Sequence, residues 1–337
     1  MIYAPILITT LDRYECLKKC IESLQQNNWA NKTDLFISVD FPPSDKYLAG
    51  YNKIKEYLEH SVEGFKNVNI FFQNQNLGAL KNSKWLIDLV GKDYDRYIFL
   101  EDDNELAPSF IEFCDKGLHY FENDNSIFAI NATDYVWCGK GYTPIVKKAN
   151  IDENNVEKRQ MIFHASAYWV KKRNMVNDFC ELIEKNEGLC DVKSLIKIYK
   201  KSKCLFYDFL SLVGLQNQQL PWHEHKIVPI DFIMDIYMIL NDMYVINPIE
   251  PLQRDLGVDG NGENYVNAFQ NANDLKNRSL NLGNTFEYRL LYTINKNNFE
   301  LILHDKYMNL SVMDRFKIIL KYTYKYLRKE CAKEKYE

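Results

Sequence analysis

The chain has 337 residues, 46% hydrophobic and 26% charged, which provides for a full apolar core and suits one large or two ordinary domains. A formal charge of −4 excludes the broad basic footprint of a nucleic-acid-binding domain. Eight cysteines contain no CxxC pair, and Cys16 and Cys20 have no histidines at zinc-finger spacing, so reduced thiols of a cytosolic protein are expected. No leader-like segment precedes the first strand and no apolar stretch approaches the roughly 18 residues of a membrane span, so the chain is expected to be neither secreted nor integral to a membrane.

Short apolar runs alternate with amphipathic stretches from the start of the chain. Strands are predicted at 5–10, 35–39, 68–72, 97–100 and 127–130, with helices between them at 17–24, 47–58, 80–90 and 110–121. This alternation implies a mostly parallel sheet flanked by helices, in which ligands bind outside the carboxyl ends of the strands. Thr9, Thr10, Asp12 and Arg13 stand at the first such end, Asp40 at the second, Asn74 and Asn76 at the third, and Glu101, Asp102 and Asp103 at the fourth. Residues 137–159 lack a clear period and read as a long excursion over those ends. A strand-like run follows at 161–170, then helical sequence over 176–215 with Leu182, Ile183, Leu195, Ile196 and Ile198 as core candidates. A helix is predicted from Asp231 to about Asn241, a strand from Tyr244 to Ile246, and a turn-rich loop around Gly257, Gly260 and Gly262.

The most informative run is Tyr97-Ile98-Phe99-Leu100-Glu101-Asp102-Asp103-Asn104-Glu105, an apolar strand ending in consecutive carboxylates just before a helix start at Pro108-Ser109-Phe110. Acids delivered on a rigid strand end suit a hard cation that bridges a few carboxylates to substrate phosphates. An acidic solvated turn is the plainer alternative. Arg13, at a helix start, has the fork and the neighbouring backbone N–H groups that favour phosphate oxygens, or else is a surface partner of Glu15. Asn76, Gly78 and Lys81 open another helix where backbone and ammonium suit phosphate, although Lys81 equally fits a solvent-facing position.

Taken in order, several motifs resemble the GT-A glycosyltransferases, specifically the inverting N-acetylglucosaminyltransferase I-like group and related bacterial polysaccharide glycosyltransferases. They are Pro5-Ile6-Leu7-Ile8-Thr9-Thr10-Leu11-Asp12-Arg13, Ser38-Val39-Asp40-Phe41-Pro42, Asn76-Leu77-Gly78, Phe99-Leu100-Glu101-Asp102-Asp103, Ser166-Ala167-Tyr168-Trp169, Pro229-Ile230-Asp231, and the glycine-bearing stretch 256–262. The resemblance covers roughly residues 4–265 and implies a GT-A, Rossmann-like mixed sheet over residues 1–270, with a helical carboxyl-terminal extension over 271–337. By this resemblance Asp103 ligates Mn²⁺ (or Mg²⁺), while Glu101 and Asp102 orient the ribose and the metal's water shell. Thr9 and Arg13 bind the donor, and Asp40 accepts from a nucleobase N–H unless it caps the helix after Pro42. Asp231 is then the general base, with an ordinary N-cap as its alternative and Asp235 as runner-up. Tyr168 and Trp169 would offer aromatic faces to a glycan acceptor, although such residues are more often core. Relatives commonly close the glycine loop with Thr-His, where this chain has Glu263-Asn264-Tyr265.

The implied activity is metal-dependent, inverting transfer from a nucleotide sugar, UDP-linked, to a bacterial surface polysaccharide or lipid-linked oligosaccharide. A catalytically inactive sugar-nucleotide or glycan-binding subunit is the alternative. A sugar-1-phosphate nucleotidyltransferase fits poorly, because the loop after the first strand has no glycine. Trp222-His223-Glu224-His225 does not have the spacing of a zinc-protease helix. Near the end of the chain, apolar residues at 312, 316, 319, 320, 324 and 327 form a helical stripe among many lysines and arginines. Such a helix either packs on the catalytic domain or lies on an anionic membrane at the cytoplasmic face.

Overall fold

A computed structural model describes residues 2–133, 135–137, 142–144, 155–159, 165–185, 191–201, 206–207, 209–210, 230–248, 250–257, 279–280, 282–283, 285–286, 289–290 and 312–333. The chain divides into two compact units. The first comprises Met1–Tyr135, Val146–Arg173 and Tyr244–Ile294, and the second Val136–Ile145, Asn174–Met243 and Asn295–Glu337.

The first unit is built on strands β1 (Ile6–Thr10), β2 (Asp34–Val39), β3 (Asn67–Phe72), β4 (Arg96–Glu101) and β6 (Ile127–Asn131), with β5 (Asn104–Leu106) set aside from them. Helices α1 (Tyr14–Gln25), α2 (Leu48–His60), α3 (Ala79–Val90) and α4 (Phe110–Tyr120) lie between the strands, within a few residues of the predicted bounds. β1 and β4 are mostly buried, with Ile6, Leu7, Ile8, Tyr97, Ile98 and Leu100 as their apolar core, as suits strands of a parallel sheet covered on both faces. Ile6, Ile8, Leu35, Ile37, Ile98 and Leu100 from the strands and Leu17, Ile21, Phe110 and Phe113 from α1 and α4 are fully buried in one core.

With β9 (Asn155–Arg159), β10 (Ser166–Trp169), β11 (Tyr244–Pro248) and β13 (Arg289–Leu290), the sheet reads β13-β9-β11-β6-β10-β4-β1-β2-β3. β1 pairs in parallel with both β2 and β4, whereas β10 runs antiparallel between β4 and β6. The expected mixed, mostly parallel sheet is therefore present. The chain travels outward from β1 through β2 to β3 and then returns to the other side of β1 as β4. The boundary between β1 and β4 is thus the topological switch point, where open α/β sheets leave a crevice for ligands.

Within 137–159, expected as a long excursion, the described residues belong to strands. Two short strands, β7 (Tyr135–Trp137) and β8 (Tyr142–Pro144), form a small sheet, and β9 joins the main one between β11 and β13. β9 reads Asn-Val-Glu-Lys-Arg, so its strand character comes from pairing near a sheet edge and not from an apolar alternation.

In the second unit, the helix Val192–Lys201 packs on the helix Ile230–Asn241. Lys197 Nζ donates to the Leu240 carbonyl and to Asp242 Oδ2, both at 2.7 Å, which satisfies the end of that helix. Ile198 is buried there as expected, while Ile196 is exposed. The last helix, Val312–Lys333, packs through Tyr322, whose ring centroid lies 6.4 Å from that of Phe209. Among the described residues no helix is long and apolar enough to cross a membrane.

Candidate functional site

β4 ends at Glu101, and the chain turns through Asp102 and Asp103 into β5. Asn104 Oδ1 holds this turn by accepting the Glu101 N–H at 3.2 Å. β5 pairs antiparallel with β12 (Gln253–Asp255), and a two-pronged ion pair from Arg254 to Glu105, at 2.6 and 2.7 Å, locks the register. This pairing carries Asp255 to the acids of β4. Leu256 N–H then donates to the Asp103 carbonyl at 2.8 Å, and Asp255 Oδ1 accepts the Gly257 N–H at 2.7 Å.

Arg13 faces these acids from the end of β1. Its Nη1 donates to Asp103 Oδ2 at 2.7 Å and its Nη2 to Asp102 Oδ1. Thr10 Oγ1 donates to the other Asp102 oxygen at 2.6 Å. The switch-point crevice is thus lined by Thr10 and Arg13 on one strand end and Asp102 and Asp103 on the other. Asp102, Asp103 and Asp255 are all buried. Burial, then the charges of Glu101 and Asp255, push the Asp103 carboxyl up to about 7 although Arg13 opposes the shift. Burial also raises Asp102 against the pull of Arg13. Burial disfavours the Arg13 charge, but Asp102 and Asp103 outweigh that and raise its pKa.

Acid here exceeds what one guanidinium neutralises, and a divalent cation would relieve the excess. Among the described residues no three carboxylate, imidazole or thiolate groups converge as a ready-made cage. Mg²⁺-like ions need none, since they combine one or two carboxylates with water and substrate phosphates. The residues present suit such an ion, and Asp103 and its neighbours would be the protein's share of its ligands.

Asp40 does something different from what its position at a strand end suggests. Its Oδ1 accepts the N–H groups of Phe41 and Leu77 at 2.9 and 2.8 Å, and its Oδ2 accepts the Gly78 N–H and Asn76 Nδ2 at 2.8 and 3.2 Å. The carboxylate braces the loop that opens α3, not the helix after Pro42, and a nucleobase would compete with four donors already in place. Gly78 adopts φ +76°, a left-handed conformation suited to glycine, and Cβ-bearing residues rarely adopt it. Asn76 Nδ2 also donates to the Phe41 carbonyl at 2.7 Å, so Asn76 and Gly78 turn their donors toward the protein. Lys81 is exposed on the first turn of α3. Thr9 is half-buried, with its hydroxyl 3.3 Å from that of Ser83.

Tyr168 and Trp169 are corrections. Both are buried in β10, in the middle of the sheet, and present no open aromatic face for a sugar. Tyr168 stacks at a tilt on Tyr97 with centroids 5.4 Å apart, and Lys172 Nζ stands 3.9 Å over the Trp169 ring. Asp231 is the second residue of the helix Ile230–Asn241, in the second unit. Asp235, one turn on, is buried and engaged by other groups. Gly260, Gly262, Glu263, Asn264, Tyr265, His164, His223 and His225 lie outside the described residues.

Asp255 is the site residue that sequence reasoning missed. β5 and β12 have three residues each, too short for any periodicity to register. The complementary Glu105 and Arg254, 149 residues apart, are the only trace of the pairing in the sequence.

The chain matches no family-level sequence profile and no curated protein sequence. It is similar in structure to S. aureus TarS, at 10% identity over 93% of this chain and 45% of that one, with a TM-score of 0.38. Residues 1–349 of S. aureus TarS, solved in complex with UDP, align at 11% identity over 67% of this chain and 68% of that one, TM-score 0.34. The bifunctional glycosyltransferase WbbM aligns at 14% identity over 72% of this chain and 38% of that one, TM-score 0.31. The chain thus spans less than half the length of full TarS and of WbbM.

Proposed function

We propose that the chain is a metal-dependent, inverting glycosyltransferase that takes a sugar from a UDP-linked donor to a hydroxyl of a bacterial surface polysaccharide or lipid-linked oligosaccharide. The observation that carries this reading is the buried acid cluster Asp102, Asp103 and Asp255 facing Arg13 at the β1/β4 switch point. In this reading Asp103, with Glu101 and Asp102 beside it, holds Mn²⁺ or Mg²⁺, which when bound supplies positive charge to the departing diphosphate. Arg13 offers its fork to phosphate oxygens, Thr10 fixes Asp102, and Asp40 shapes the loop that Asn76, Gly78 and Lys81 present beside the donor. Asp231 is assigned the removal of the acceptor hydroxyl's proton, a step in which placement matters more than basicity. The work is placed at the cytoplasmic face of the membrane, which the helix Val312–Lys333 touches through its exposed apolar side.

A panel of UDP-, GDP- and CMP-sugars with and without Mn²⁺, read by thermal unfolding, tests the donor assignment. A UDP-sugar at a hundredfold excess over its Kd adds about 2.7 kcal/mol of stability. The Mn²⁺-dependent part of that gain should vanish in Asp103→Ala while the variant stays folded. Metal-dependent binding that survives in Asp103→Ala removes that residue from the site, and wild-type protein that responds to no sugar nucleotide removes the function.

A further inference from the structure

We infer that Arg13 is the resident counter-cation of the acid cluster and must exchange for the divalent ion, so that donor diphosphate and metal bind cooperatively. The inference rests on the donor-site reading above. Arg13 Nη1 and Nη2 fork between Asp103 and Asp102, and Thr10 takes the remaining Asp102 oxygen. Asp103 Oδ1 accepts from Asn104 Nδ2 at 3.3 Å, and Oδ2 is the oxygen that Arg13 holds. Gly257 covers that same oxygen: a β-carbon there would stand 2.2 Å from Asp103 Oδ2 and 3.2 Å from Arg13 Nη1. A cation and the guanidinium would compete for Oδ2.

The arginine is the outer, movable partner. Its side chain is 31% exposed against 3% and 7% for those of Asp102 and Asp103. A diphosphate gives a guanidinium the same bidentate geometry that the two carboxylates give it. Moving Arg13 onto phosphate leaves Asp102 and Asp103 buried beside Glu101 and Asp255 without a counter-charge, which is costly. A divalent ion cancels that cost, and bound metal in turn frees Arg13 for phosphate. Each ligand therefore favours the other, and linkage makes the effect reciprocal.

The test reads free Mn²⁺ by electron paramagnetic resonance at pH 8, with and without saturating UDP and with no acceptor present. Wild-type protein should bind Mn²⁺ more tightly with UDP, by a factor within the usual range of about 5 to 150. Arg13→Met should bind Mn²⁺ alone about tenfold more tightly than wild type, with the UDP effect shrunken to match. Arg13→Lys keeps the charge and should stay near wild type for metal alone. If the wild type binds UDP and Mn²⁺ but Arg13→Met binds metal no better, the exchange is wrong and the donor site stands. If the wild type binds neither, both fall. Should circular dichroism show Arg13→Met unfolded, the wild-type titration decides, and a Mn²⁺ affinity indifferent to UDP overturns the inference.

Discussion

Gly257 lies so close to Asp103 that a β-carbon at that position would stand 2.2 Å from the carboxylate oxygen that Arg13 also holds. The neighbour that must give way is a buried carboxylate tied to β12 through its own backbone, not the loose end of a flexible side chain. Gly257→Ala should therefore displace Asp103 and break the Arg13 contact. Overpacking of this kind costs about 1–3 kcal/mol, which urea unfolding will read. Mn²⁺-dependent UDP affinity, measured calorimetrically, should fall by roughly tenfold, the equivalent of losing about 1.4 kcal/mol. Wild-type affinity in a folded Gly257→Ala protein would show that this oxygen plays no part in donor binding.

Asp115 supplies a pH dependence separate from the site. Its Oδ1 accepts the Ala4 N–H at 2.9 Å, while Oδ2 is buried with no hydrogen-bond partner. Burial pushes the carboxyl up to about 7, with the Ala4 bond and Arg96 pulling the other way. A folded-state pKa above the unfolded value means that the folded protein holds the extra proton between about 4 and 7. The stability this contributes is full below about 4 and is lost as the pH rises through 7. Asp115→Asn keeps the acceptor and cannot ionise, so it should melt a few degrees above wild type at pH 8, with the gap closing as the pH falls toward 4. The scale of roughly 2–4 °C per kcal/mol puts such a shift within easy reach of calorimetry. Equal melting temperatures at pH 8 would mean that Asp115 is not a buried charge at that pH.

Short buried apolar runs at predicted strand positions were legible without coordinates. Ile6–Thr10 and Arg96–Glu101 announce central parallel strands, and the acids that follow the second run sit where the chain order places the crevice. Asp40 was legible as a strand-end acid but not as a brace, because its partners at 76–78 come from another crossover and are backbone groups that any residue supplies. Tyr168 and Trp169 misled for the opposite reason. An aromatic pair says nothing about whether its strand is edge or centre, and β10 lies between β4 and β6. Asp255 was hidden by the brevity of β12, and Gly257, legible as part of a turn-rich loop, gave no sign there of its close approach to Asp103.

The helix Val312–Lys333 presents Met313, Phe316, Leu320 and Tyr324, each at least half exposed, along one line of its surface. Tyr322 is buried on the other side, so packing within the second unit leaves this line uncovered among the described residues. Arg315, Lys317 and Lys321 alternate with it. An apolar line with basic flanks is the pattern of a helix that lies in a bilayer interface. The full chain should sediment with vesicles rich in phosphatidylglycerol at low salt, less so at 0.5 M salt and not with phosphatidylcholine alone, since screening removes the electrostatic share. Phe316→Glu with Leu320→Glu should abolish sedimentation and leave UDP and Mn²⁺ binding unchanged. Protein that ignores anionic vesicles at low salt would assign the line another role.

Asp231 separates an enzyme from a binding subunit. It occupies the first turn of the helix Ile230–Asn241. Asparagine keeps the size and the helix-start chemistry of aspartate and removes its basicity. Asp231→Asn should therefore hold its UDP and Mn²⁺ affinities within a few-fold while transfer to a glycan acceptor falls by roughly 10²-fold or more, the usual scale for a positioned general base. Asp235→Asn is the control: that side chain is buried and already engaged, so the change should act on stability and spare most of the turnover per folded molecule. Near-normal turnover in Asp231→Asn would rule this base out, and a loss confined to Asp235→Asn would move the role one turn along. A wild-type chain that binds UDP-sugar and metal yet transfers to no glycan would instead mark it as a binding subunit.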